Sequence, residues 1–320
     1  MTELTYHEAR ARSILRALDA DPQLVVIGGE IAFPFNPEFG LNDAYAHRVL
    51  WPPISEFANL AAATGAAMSG LRTLIPLATS SFMFNGWAAI VQEAANARYL
   101  SGGRVSVPMA VHLQSGARRS GAAQHEHTPQ AMLQNVPGLI LYQPGTPAEI
   151  DSAFHLALTA DDPTLIFDHV LLIDSSGPVS EGPAPLVPSL VRDGGDALIV
   201  ASGLMVQYSL RAAAALETEG VSVAVLSNPL ISPAPVDTVL EHLGQHTSVV
   251  FVDESRGPGS PTSYLMSVAL QRGIGARVRH VCSGMAPSPF ALHLLDEVIP
   301  TADRIAGAVR GLLDPGWTAP

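Results

Sequence analysis

Short runs of consecutive apolar residues recur along this 320-residue chain, and each is followed by a stretch with helical spacing. Leu24–Ile27, Thr73–Ala78, Val107–Val111, Leu139–Tyr142 and Thr164–Phe167 lack the apolar–polar alternation of a strand with one wet face. Continuous runs of this length mark strands covered on both faces. Helical patterns lie between them. Tyr6–Leu18 carries Ala9, Ile14, Leu15 and Leu18 on one stripe, and another pattern opens at Glu56 and reaches Ser69-Gly70, with Gly70 as a C-cap. A long helix is predicted through Trp87, Ile90, Val91, Ala94 and Ala95, ending at Ser101-Gly102-Gly103, and a further one over Pro147–Leu158. Such alternation predicts α/β architecture with a largely parallel sheet. Residues 174–192 are rich in Ser, Gly and Pro and read as the domain boundary. The alternation then restarts with strands at Ala197–Ala201, Val221–Leu226, Ser248–Val252 and Ala276–Val281. Helices are expected there at Met205–Glu219, Val236–Leu243, Ser260–Arg272 and Ala302–Leu313. Two doubly wound domains follow, residues 1–180 and 193–320, joined by a linker at 181–192.

Composition narrows the partners. Charged residues make up only 14% of the chain and apolar ones 48%, which implies surface covered by a second copy or another protein. The balance of 17 Lys+Arg against 29 Asp+Glu gives −12, which argues against nucleic acid or an anionic membrane. One cysteine, Cys282, excludes an internal disulfide and a multi-cysteine metal site. No apolar run approaches a membrane span, and Met1–Thr5 lacks a basic leader, so a cytoplasmic protein is expected. Glycine-rich dinucleotide and Walker-type phosphate cradles are absent, as is a Gly-x-Ser-x-Gly elbow. His125-Glu126-His127 lacks the i, i+4 spacing of helical metal ligands.

Parallel sheets bind ligands beyond the carboxyl ends of their strands. The stretches Gly28–Glu30, Ser80–Phe84 and Gln114–His127 all follow strand candidates and are expected to face one site. Pro52-Pro53-Ile54-Ser55-Glu56 places an acid at the opening of an otherwise apolar, small-residue helix. That acid is either an N-terminal capping charge or a buried catalytic group.

Several motifs in order carry a resemblance. Pro53-Ile54-Ser55-Glu56, Gly65-Ala66-Ala67-Met68-Ser69-Gly70-Leu71-Arg72, Arg98-Tyr99-Leu100-Ser101-Gly102-Gly103, Gly121-Ala122-Ala123-Gln124-His125, Pro137-Gly138-Leu139 and Asp196–Gly203 all take part. Together they resemble the beta subunit of the thiamine-diphosphate-dependent 2-oxoacid dehydrogenases, a transketolase-like family. The resemblance spans nearly the whole chain. It implies a pyrimidine-binding domain followed by a transketolase C-terminal domain. It also implies an α2β2 tetramer with thiamine diphosphate at the interface, and an alpha-type partner that holds the diphosphate and Mg2+. The partner's Gly-Asp-Gly…Asn motif is not found in this chain. A lipoyl-bearing acyltransferase is the implied acyl acceptor.

By the same resemblance, Glu56 is the carboxyl group that exchanges a proton with the aminopyrimidine ring, a task suited to a dry pocket. Phe82 is the stacking aromatic, with Met83 and Phe84 as neighbours that compete for that place. His125 is the active-site histidine, and Glu30 the acid after the first strand. Backbone near Ala160 and Asp162 is the place of a structural monovalent cation. Three stretches depart from the family pattern. His112-Leu113-Gln114-Ser115-Gly116 replaces Arg-Gly-Pro-Asn-Gly, Gly28-Gly29-Glu30 replaces Gly-Glu-Asp, and Asp253-Glu254-Ser255-Arg256 replaces His-Glu-Ala-Pro. His112, Arg118, Arg119 and His127 are the substrate-side candidates, and the arginine pair suits a carboxylate or phosphate. A split transketolase or an acyloin-type synthase is the alternative reading, and a non-enzymatic scaffold subunit is a third.

Overall fold

The chain enters through a short strand, β1 (Thr2–Thr5), and α1 (Tyr6–Ala20). Thr5 and Glu8 form a reciprocal capping box at the helix start, which satisfies backbone donors that the first turn leaves open. The computed structural model describes residues 1–28, 45–117, 121–314 and 316. Glu30, Arg118 and Arg119 lie outside the described residues.

The first unit continues with β2 (Leu24–Ile27), β3 (Val49–Leu50), α2 (Glu56–Met68), β4 (Arg72–Leu77), α3 (Ala95–Leu100) and β5 (Met109–Gln114). After these come the one-turn α4 (Ala122–His125), α5 (Gln130–Gln134), β6 (Ile140–Tyr142), α6 (Pro147–Ala157) and β7 (Thr164–Asp168). β8 (Ser176–Val179) precedes the second unit. That unit comprises β9 (Ser189–Arg192), β10 (Ala197–Ala201), α7 (Leu204–Glu217), β11 (Val223–Ser227), β12 (Leu230–Ser232), α8 (Val236–Leu243) and β13 (Ser248–Arg256). It ends with α9 (Pro261–Gln271), β14 (Arg277–Ser283), α10 (Leu292–Val298) and α11 (Ala302–Leu313).

The first sheet has the order β12-β6-β7-β5-β4-β2-β3. Its strands are parallel except β12, which comes from the second half of the chain and pairs antiparallel with β6. The second sheet has the order β14-β13-β10-β11-β9, parallel except for the edge strand β9. Neighbouring residues within each strand serve different cores. Val26, Leu74, Ala110 and Ile166 pack into one cluster with Tyr6, Ile14 and Phe154. Ile27, Ile75, Val111 and Leu165 pack into another with Leu60, Ala63 and Ile90. Both strand faces are therefore dry, which is why the runs show no alternation. Each such large side chain contributes about 1.5–3 kcal/mol of burial.

Local differences from the sequence reading have physical causes. The expected helix through Trp87 to Ser101 is present, but its turns at Ala89–Ala94 are π-helical before α3 completes it, and a 3₁₀ segment at Ser80–Gly86 leads into it. The helix's buried pairs, Ala89-Ile90 and Ala94-Ala95, are five residues apart, and a widened turn brings both into the core that holds Leu60 and Ala63. β5 runs on to Gln114 past the polar His112, because His112 finds a buried partner in Asp168. The stretch 174–192 contains two strands. β8 pairs antiparallel with β1 across most of the first unit's sequence, and β9 is the half-exposed edge of the second sheet. Short polar edge strands carry little periodicity to read.

Candidate active site

Strand order in the first sheet reverses between β2 and β4: β2 has β3 as its outer neighbour, whereas β4 leads to β5 on the other side. Loops diverge at such a point and leave a crevice beyond the carboxyl ends. A pocket of about 290 Å³ occupies that crevice, lined by Ile27 and Gly28 at the end of β2, by Ile75, Pro76 and Leu77 of β4, and by Trp51, Ile54, Asn59 and Glu56.

Glu56 is the first residue of α2. Ser55 is its N-cap, with Oγ accepting from the Ala58 N–H at 3.4 Å. Pro52 and Pro53 restrict the approach to that cap. The half-buried Glu56 carboxylate accepts a hydrogen bond from Asn85 Nδ2 at 3.3 Å. Asn85 belongs to the 3₁₀ segment that also carries Phe82. That segment lies against the start of α2 so closely that a Cβ on Gly86 would stand 3.2 Å from the Glu56 carbonyl oxygen.

The same segment gathers the histidines. Thr79 Oγ1 donates to the His125 carbonyl at 2.6 Å, and Ser80 Oγ donates to the His127 carbonyl at 2.8 Å. Phe82 meets the His125 ring edge-on, with centroids 5.5 Å apart, and Phe84 meets His127 similarly at 5.7 Å. Met83 points into the core and is fully buried. His125 Nδ1 lies 3.1 Å from the Gly121 carbonyl. A carbonyl only accepts, so Nδ1 carries a proton toward it and Nε2 is the ring nitrogen turned to other partners. Ala122, at the start of this one-turn helix, adopts φ +51, a left-handed conformation that costs a non-glycine residue about 1–2 kcal/mol. Burial, and secondarily the Arg256 guanidinium, push the His127 imidazole below its ordinary value.

Glu56, Phe82 and His125 are thus connected through one 3₁₀ segment. Two other candidates stand elsewhere. His112 is 1% exposed and bonds through Nε2 to Asp168 Oδ2 at 2.8 Å, with Arg10 on the same carboxylate. Its ring packs edge-on against Phe154. It is a core residue, not a substrate-facing one, because β5 turns its even-numbered side chains toward α1 and α6. Around Ala160 and Asp162, where a cation site is expected, polar atoms are bonded by guanidinium groups. The Ala160 carbonyl accepts from the Arg72 guanidinium, the Asp162 carboxylate from Arg98, and the Asp161 carbonyl from Arg98 Nη2 at 3.2 Å. Among the described residues no three His, Cys, Asp or Glu side chains converge as a metal site, and no helix is long and apolar enough to cross a membrane.

Residues that sequence reasoning missed act around these. Asn85 lies three positions after Phe82, directly after the stretch already singled out. Thr79 and Ser80 follow β4 as ordinary loop polar residues, and nothing local announces their partners. His169 follows β7, and its role depends on a residue 85 positions away.

The Transketolase, pyrimidine binding domain family model matches residues 2–173, and the Transketolase, C-terminal domain model matches residues 189–305. The acetoin:2,6-dichlorophenolindophenol oxidoreductase subunit beta of Cupriavidus necator is 34% identical over 87% of this chain and 84% of its own. The 2-oxoisovalerate dehydrogenase subunit beta of Bacillus subtilis is 26% identical over 98% of this chain and 100% of its own. Among solved structures, an inactive beta4 tetramer of a split-gene transketolase superposes with a TM-score of 0.78. It covers 97% of this chain and 98% of its own at 20% identity, a likeness of fold. With both halves matched in order, and beta subunits similar along most of its length, the chain belongs to the family of beta subunits of thiamine-diphosphate-dependent 2-oxoacid dehydrogenases and their transketolase-like relatives.

Proposed function

We propose that this chain is the beta subunit of an enzyme that oxidatively decarboxylates a 2-oxo acid and passes the acyl group to a lipoyl-bearing acyltransferase. It works with thiamine diphosphate and an alpha-type partner in an α2β2 assembly. The observation that carries the reading is the half-buried Glu56 carboxylate in the crevice between β2 and β4.

The residues present fit an aminopyrimidine. Among the described residues, Glu56 is the one carboxylate in a pocket otherwise lined largely by apolar groups such as Ile27, Pro52, Ile75 and Leu77. When bound, thiamine diphosphate supplies the nucleophilic carbon for the substrate carbonyl and takes up the electrons released with carbon dioxide. Glu56 exchanges a proton with the ring nitrogen of the aminopyrimidine, and Asn85 orients the carboxylate. Phe82 offers an aromatic face to the ring. His125, with Nδ1–H held by Gly121, presents Nε2 to accept or return a proton on the substrate side. The diphosphate and Mg2+ fall to the partner. Trp51, Ile54 and Phe57 are 62%, 76% and 58% exposed around Glu56, and such a clustered apolar surface supports a partner seated there.

Glu56→Gln in the reconstituted complex tests the reading. Turnover should fall by about 10²–10⁴-fold with assembly intact, and unchanged turnover would rule the mechanism out. A second reading is an acyloin-type or split-transketolase activity, with an aldehyde or similar carbon acceptor. It draws on the acetoin-named relative at 34% identity and on the buried His112 in the departing stretch. Reductive acylation of a lipoyl domain decides for the first reading; carbon–carbon bond formation with aldehydes and no lipoyl acylation decides for the second.

A further inference from the structure

We propose that Glu254, a buried carboxylate of the second domain, is a positioning residue for His125. It accepts the Ala117 N–H and so fixes, from the opposite domain, the segment that presents the histidine beside Phe82. The inference rests on the role proposed for His125.

Glu254 is 4% exposed, near the end of β13. Its Oε1 lies 2.6 Å from the Ala117 nitrogen and 3.3 Å from His169 Nε2. The tautomer of His169 follows from its surroundings. The Leu171 N–H points at Nδ1 from 3.2 Å, so Nδ1 accepts and Nε2 carries the proton toward Glu254. Burial alone would raise the Glu254 carboxyl. His169 and the Ala117 N–H outweigh it and hold the group below its ordinary value. Gly116 is required for the approach. It has φ +78, and a Cβ there would stand 2.4 Å from Glu254 Oε2 and 2.5 Å from His169 Nε2.

The carboxylate also borders a void shared with residues on the other flank of the histidine. This void of about 10 Å³, at the lower limit for a single water, is lined by Glu254 together with Ala117, Glu126 and Thr128. Glu126, next to His125, returns Oε1 to the Gly121 N–H at 2.9 Å, and its carbonyl accepts from Ser288 Oγ at 3.4 Å. Ala117 packs with Leu295 and Ile299 of the second domain. The Glu254 carbonyl is itself held by Ser283 Oγ at 2.5 Å. Residues 125–127 therefore have the first unit on one side, through Thr79 and Ser80, and the second domain on the other, through Ser288, while Glu254 bonds the N–H of Ala117 earlier in the chain.

Hydrogen exchange on the isolated chain reads the clamp directly. Glu254→Ala should quicken exchange in peptides covering 114–117 and 121–128 by about tenfold to a hundredfold, leaving β4 and β10 as they were. Two conservative variants separate reach from charge. Glu254→Gln keeps an oxygen at the right length and should retain protection. Glu254→Asp keeps the charge but is one methylene short and should lose it. In the reconstituted enzyme, Glu254→Ala and Glu254→Asp should lower kcat while thiamine diphosphate affinity stays within about twofold, because the Glu56 pocket is separate. Unchanged exchange in Glu254→Ala, quickening spread evenly over the first unit, or protection kept by Asp and lost by Gln would each overturn the proposal. Exchange reports the clamp and turnover reports His125. A fully active His125→Ala enzyme would therefore sink the reading of the histidine without being mistaken for a failure of the clamp.

Discussion

At the scale of single residues, the strongest electrostatic feature lies away from the pocket. Asp168 is fully enclosed, and burial alone would raise its carboxyl. Arg10 and His112 on one oxygen outweigh that and hold it far below the carboxylate range. His112 is pushed down by burial against the pull of Asp168, so it stays neutral with its proton on Nε2. Both groups titrate lower folded than unfolded, so the unfolded chain binds more protons and acid destabilises the fold. The His112 contribution is complete above its ordinary value of 6.5 and falls away as the pH drops through its depressed folded value. The Asp168 contribution is complete above about 3.9 and is lost only as the pH falls well below that. Thermal melts should show stability declining from about pH 6.5 downward. Asp168→Asn leaves Arg10 buried without its counter-charge and should cost about 3–5 kcal/mol at neutral pH. A variant melting like the parent at pH 7 would refute this reading of the cluster.

At the scale of elements, the packing of the 3₁₀ segment on α2 decides where Phe82 and Asn85 stand relative to Glu56. Gly86 is the contact point: a Cβ there would meet Leu60 Cδ1 at 2.2 Å and Leu60 Cβ at 3.2 Å. Leu60 is fully buried and has no room to withdraw. Gly86→Ala should therefore cost about 1–3 kcal/mol of stability and weaken thiamine diphosphate binding at the same time, because Asn85 and Phe82 move with the segment. Chemical denaturation and calorimetric titration of the reconstituted complex measure the two effects. Binding left intact by a destabilised variant would show that the segment does not set the site. The helix start at Glu56 was legible beforehand from Ser55 and the prolines. The 3₁₀–π–α succession after β4 was not, because a π turn depends on which neighbour the extra residue faces.

At the scale of the whole molecule, the two domains share one core. The cluster containing Tyr6, Ile14 and Phe154 continues without a break into Leu204, Val206, Val225 and Leu312. β12 of the second half completes the edge of the first sheet, and the Gly203 N–H donates to the Gln143 carbonyl at 3.0 Å. A joint of this kind leaves neither half a closed hydrophobic surface of its own. Calorimetry of the isolated chain should show a single cooperative transition, and two well-separated transitions would contradict a shared core.

By itself, the sequence determined the parallel, doubly covered sheets, since dry strand faces demand continuous apolar runs, and it placed the acid at the start of α2. Its ordered motifs determined the family, and with it the expectation for Glu56, Phe82 and His125. Only the tertiary structure decided that His112 belongs to the core, that Arg72 bonds the Ala160 carbonyl and Arg98 the Asp162 carboxylate, and that Glu254 reaches Ala117 across 137 positions. Periodicity and spacing record how a segment meets water and its near neighbours along the chain. Which distant polar group a buried side chain bonds is settled when the two domains close on each other.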